Sequence, residues 1–113
     1  VKITFSDKKL GKLANDDRKM VKDLGKTRAT ILRRRLTQLE DATTLEEVRN
    51  LPGNYHELTG TRKGQWGCDL DQPYRLIFAP HEDPIPTNED GQYIWLEITG
   101  VEVMEITNYH KEK

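Results

Sequence analysis

An α+β fold is predicted for this chain, with helices packed on one face of a twisted antiparallel sheet. Three observations carry that expectation. The first five residues, Val-Lys-Ile-Thr-Phe, alternate with period two, as a half-buried strand does. The next forty or so place apolar residues at helical spacing between Ser, Asp and Thr cap candidates. From residue 55 onward the pattern changes to short β-rich runs separated by Gly, Pro and Asp. With 113 residues, 35% of them hydrophobic, the chain suits a single domain over 1–113 with one core.

Each element follows from local chemistry. Residues 1–5 form the first strand. Ser6 is placed to cap a helix that begins at Asp7 and includes Leu10 and Leu13. Asn15-Asp16-Asp17 offers a second cap ahead of Met20, Val21 and Leu24, and Gly25 marks a break. A longer helix is expected over residues 26–40, with Ala29, Leu32, Leu36 and Leu39 as its buried stripe. That makes two or three N-terminal helices. Leu32, Leu36 and Leu39 are expected to pack against Ile77, Val101 and Val103. Thr44-Leu45-Glu46-Glu47 has capping-box form, so a short helix ends before Leu51-Pro52-Gly53. Residues 55–58, 65–70, 74–79 and 101–106 read as strands, giving a sheet of four or five with the first. Residues 80–91, with three prolines and four acids, form an irregular loop. Residues 92–99 are ambiguous, because Ile94, Leu96 and Ile98 alternate while Trp95 and Glu97 suit a turn.

The net charge of −1 conceals an asymmetry. Residues 1–35 carry a net charge of +8 and residues 36–113 a net charge of −9. Such a division points to a polyanion or an acidic protein as partner, or simply to solvated helix faces. No apolar run approaches the roughly 18 residues of a membrane span, and no signal peptide is visible, so no membrane contact is expected. The single cysteine, Cys68, excludes an internal disulfide and a multi-cysteine zinc site. A reducing compartment, the cytoplasm, is the expectation.

No metal-ligand spacing, phosphate-binding glycine loop or nucleophile elbow is present; neither metal nor cofactor is expected. What remains is a scattered set of polar and cationic residues: His56, Arg62, Lys63, Arg75, Asn108, Tyr109 and His110. Each alone also reads as an ordinary surface residue. Their sequence context is more specific. Gly53-Asn54-Tyr55-His56-Glu57-Leu58-Thr59-Gly60-Thr61-Arg62-Lys63-Gly64-Gln65-Trp66 leads to Pro73-Tyr74-Arg75-Leu76-Ile77-Phe78, and Glu105-Ile106-Thr107-Asn108-Tyr109-His110 follows near the C-terminus.

Taken together, these segments resemble the RelE/ParE toxin superfamily, and within it the HigB-type plasmid maintenance killer toxins. The loop between residues 80 and 100 is similar to a subgroup labelled killer suppression protein. The resemblance covers nearly the whole chain. It implies a RelE-like, microbial-ribonuclease-type fold. It also implies a toxin of a type II toxin–antitoxin system that cuts messenger RNA at the ribosomal A site, without a metal, using the RNA 2′-hydroxyl as nucleophile. Its implied partners are the ribosome, messenger RNA and a helix-turn-helix antitoxin of the HigA kind.

The residue chemistry can be set beside that implication. Attack by a 2′-oxygen needs a base, a leaving 5′-oxygen needs an acid, and histidine suits both roles near neutral pH. His56 and His110 are the expected pair, with acid and base unassigned. Arg62, Lys63 and Arg75 would neutralise the phosphate, and Tyr109 would stack on a nucleotide or lend its hydroxyl. Many relatives have Asp before the terminal Tyr-His; Asn108 stands there instead and cannot act as a base. Lys8, Lys9, Lys12, Lys19, Lys22, Lys26, Arg28, Arg33, Arg34, Arg35 and Asn108 are expected to contact RNA. Two other readings compete. A ParE-like toxin would share the fold but inhibit DNA gyrase by binding. A DNA-binding antitoxin or repressor would need a tight helix-turn-helix, which the strand-rich second half opposes.

Overall fold

The computed structural model describes residues 1–108. Strand β1 (Lys2–Phe5) leads into helices α1 (Lys8–Ala14), α2 (Asp17–Leu24), α3 (Lys26–Asp41) and the one-turn α4 (Leu45–Val48). Strands β2 (His56–Glu57), β3 (Trp66–Asp69), β4 (Tyr74–Pro80) and β5 (Gly100–Asn108) follow. Short 3-10 turns at Gly60–Arg62 and Trp95–Glu97 interrupt the connections.

The helix starts are chemical. Asp7, not Ser6, caps α1: its carboxylate accepts from the Leu10 amide at 2.7 Å. Ser6 instead donates to the Met104 carbonyl of β5. Asp16 caps α2 through the Lys19 amide at 3.1 Å. Gly25 ends α2 and starts α3 with φ +87°, a conformation that favours glycine. Thr44 occupies the α4 cap without a side-chain bond, and the expected box is corrected: Glu47 accepts from the amide of Thr43, one residue before the cap.

The sheet order is β1-β5-β4-β3-β2. The expectation of a wholly antiparallel sheet is corrected at one edge, where β1 runs parallel to β5, Lys2 facing Gly100 and Phe5 facing Val103. Period-two alternation identifies a strand but carries no information on partner or direction. A parallel pair needs a long crossover, and here the helices and the β2–β4 meander together supply it. Residues 92–99 form no sheet strand. Trp95 turns inward against Trp66, ring centroids 5.5 Å apart and nearly perpendicular, and the backbone tightens into a 3-10 turn around it.

Strand alternation divides the sheet. On one face Trp66, Cys68, Leu76, Phe78, Val101 and Val103 join Leu13, Met20, Ala29, Leu32, Leu39, Leu45 and Val48 of the helices in a single core cluster. Two packing expectations change. Leu36 is only half-buried, and Ile77 is fully buried but outside that cluster, because it points to the other face. Among the described residues no helix is long and apolar enough to cross a membrane.

Candidate active site

The face turned away from the helices carries the polar residues. Two cross-strand rows run over it. One joins His56, Gly67, Ile77 and Glu105; the next joins Asp69, Arg75 and Thr107. At the β2 end of these rows Asn54, His56, Asp69, Gln72 and Arg75 line a cleft of about 220 Å³. His56 and Arg75, nineteen positions apart in sequence, thus share one cleft because β3 pairs with both of their strands.

Local backbone geometry orients the imidazole. Nδ1 of His56 lies 2.7 Å from the Asn54 carbonyl. A carbonyl only accepts, so Nδ1 carries the proton and Nε2 is the basic nitrogen of the neutral ring. Arg75 adds a half-buried guanidinium with a geometry suited to phosphate. Asp69, directly opposite Arg75 in register, places a carboxylate beside both.

Arg62 reaches the same face from the 3-10 turn, donating to Gln65 at 2.9 Å and to Glu105 at 3.3 Å. Lys63 does not join the group. It lines a separate cleft of about 470 Å³ with Glu57, Asn88, Gly91, Gln92, Tyr93 and Trp95. Its ammonium stands 5.9 Å from the Tyr93 ring centre. The expected grouping of Arg62, Lys63 and Arg75 is corrected to that extent. The physical reason is that consecutive residues after a one-turn helix diverge. Tyr109 and His110 lie outside the described residues.

Of the cations expected to meet RNA, Lys8, Lys9, Lys12, Lys22, Lys26 and Arg34 are exposed on α1–α3, and Lys19 is partly so. Three arginines have other engagements. Arg33 pairs with Asp17 at 3.2 Å. Arg28 forms a two-pronged pair with Asp71, at 2.8 and 3.1 Å, and lies 3.5 Å over the Tyr74 ring. Arg35 is corrected outright: it is 9% exposed and bonded to loop carbonyls, so it is no surface contact. Asn108 faces Tyr74 across β4–β5, on the helix side of the sheet and away from the cleft.

Sequence reasoning missed Asn54, Asp69 and Gln72. A signal existed for Asp69. Hairpin pairing around the Asp71-Gln72-Pro73 turn places it opposite Arg75 whenever the turn is centred there. Among the described residues no three His, Cys, Asp or Glu side chains cluster as a metal site would require. No protein-family model matches the chain, and no curated protein matches it.

Proposed function

We propose that this protein is a cytoplasmic toxin of a type II toxin–antitoxin pair, an endoribonuclease that cuts messenger RNA on the ribosome. The observation that carries the reading is the placement of His56 and Arg75 on one cleft, with the imidazole's Nδ1 tied to a backbone carbonyl. In this reading Nε2 of His56 takes the proton of a ribose 2′-hydroxyl. The 2′-oxygen attacks the adjacent phosphorus, and the P–O5′ bond breaks. A 2′,3′-cyclic phosphate and a 5′-hydroxyl result, the latter protonated by an acid. The resemblance assigns that acid to His110, beyond the described residues. Arg75 neutralises the charge that builds on the phosphate oxygens, a term worth roughly 3 kcal/mol for a well-placed donor. The exposed lysines of α1 and α2 hold the ribosomal RNA, and a HigA-like helix-turn-helix antitoxin covers the toxin until it is needed.

Messenger cleavage on programmed ribosomes tests the reading. The His56→Gln protein keeps size and hydrogen bonding but loses proton transfer, so cleavage should fall about 10²–10⁴-fold with circular dichroism unchanged. Undiminished cleavage by that variant overturns the role of His56. Absence of cleavage by the wild type, with DNA-damage signalling on expression, replaces the nuclease by the gyrase-binding reading.

A further inference from the structure

We propose that Arg35 is a positioning residue for His56: a buried cation that clamps the turn whose carbonyl sets the imidazole's tautomer. Three consecutive arginines, Arg33 to Arg35, lie in α3. At about 100° per residue they fan around the helix, and Arg35, three positions after Leu32 and four before Leu39, is the one that faces inward. Burying a guanidinium is costly unless its donors are satisfied. Among the described residues no carboxylate pairs with it. Neutral acceptors take its donors instead: the Asp69 carbonyl accepts from Nε at 2.7 Å, and Gln38 Oε1 and the Pro52 carbonyl accept from Nη1 at 3.4 and 3.5 Å.

Asp69 lines the cleft, and Pro52 leads into the segment that carries its other wall, Asn54 and His56. Asp69 ends β3, and Pro52 opens the turn before β2. The Asp69 amide donates to the Gly53 carbonyl at 2.8 Å, closing the same junction. Gly53 is pressed on the guanidinium: a Cβ there would stand 2.7 Å from Arg35 Cζ, and its φ is +123°. Asn54 follows with φ +55°. Two successive residues with positive φ precede the contact of the Asn54 carbonyl with His56 Nδ1. From the far side, Tyr55 donates its hydroxyl to Gln38 Oε1 at 2.9 Å and reaches the Arg35 carbonyl at 3.2 Å. The chain of contacts therefore runs from the helix core to the imidazole. Lysine cannot replace this fork, because an ammonium reaches one carbonyl where the planar guanidinium spans two segments.

The test reads the tautomer directly, by long-range proton–nitrogen correlation of the His56 ring in the intact chain. In the wild type Nδ1 carries the proton when the ring is neutral. In Arg35→Lys, which keeps the buried charge and much of the length, the ring should relax toward the Nε2-protonated form that a solvated histidine side chain favours. Gly53→Ala should produce the same change from the other partner, by pushing the turn off the guanidinium. A folded Arg35→Lys protein whose His56 keeps the Nδ1 proton overturns the proposal. If that variant fails to fold, Gly53→Ala decides by the same signal. The consequence for catalysis rests on the nuclease reading and separates from it. Single-turnover cleavage should fall about 10²-fold, as for a group displaced by an ångström, with KM little changed. A relaxed tautomer with full cleavage leaves the clamp standing and removes His56 from the chemistry.

Discussion

Cys68 is sealed on the helix-facing side of β3, with no exposed surface. Burial pushes its thiol up to about 12, and burial likewise raises the neighbouring Tyr55 hydroxyl. The thiolate is the reacting form, so at pH 8 the native protein should resist a disulfide reagent and react fully in urea. Rapid labelling of the folded protein would contradict this placement. The sequence made the cysteine legible as unpaired but not as buried, since a single apolar run gives no inside or outside. The same limit applied to the three consecutive arginines of α3. Helical geometry required one to differ, while the identity of the inward residue depended on where the Pro52–Asn54 turn docks. His56 and Arg75 were legible as candidates because their strands read clearly. Asn54 was not, since its contribution is a carbonyl, which every residue has.

At the scale of elements, the tie between α3 and the β3–β4 turn is the Arg28–Asp71 pair, partly shielded and stacked on Tyr74. Hydrogen bonding to Arg28 holds the Asp71 carboxyl below its ordinary value, and the same pair raises Arg28. A depressed carboxyl contributes stability above its unfolded pKa of about 3.9 and loses it as pH falls through the lower folded value. Asp71→Asn should therefore cost about 0.5–1 kcal/mol at pH 7, the range for a largely solvent-screened pair. The two proteins should converge in urea melts near pH 3; a constant difference between pH 7 and pH 3 would mean that the amide disturbs the turn by another route. The elements themselves were largely legible. Asp16 and Gly25 act where cap chemistry puts them, and β3 and β4 fall within a residue or so of expectation. β2 shrank to two residues between the positive-φ pair Gly53–Asn54 and the 3-10 turn Gly60–Arg62, backbone conformations that strand propensity does not contain.

Over the whole molecule, charge and topology matter most. The +8 carried by residues 1–35 is only partly neutralised, with Arg28 and Arg33 paired and Arg35 buried. The exposed lysines of α1 and α2 remain for a polyanion. Association with ribosomes or RNA should weaken steeply with salt, and replacing Lys8, Lys12 and Lys22 by Gln should flatten the logarithmic salt slope by about one unit per lost phosphate contact. A salt slope untouched by the triple variant would place the nucleic acid elsewhere. The α+β class was legible from the order of periodicities. The parallel edge was not, because the pairing of β1 with β5 is decided between the two ends of the described chain.

That pairing bears on the timing of synthesis. β5 is inserted between β1 and β4, so the last of the described strands to be made is also the one that joins β1 to the rest. While the chain is growing, β1 has no neighbour, and the rows that hold Arg75 and Ile77 lack Thr107 and Glu105. The β2–β3–β4 meander can pair before β5 exists, but the five-stranded sheet cannot be completed without it. Its closure is a late step, and any activity that needs the complete open face would be withheld from the nascent chain.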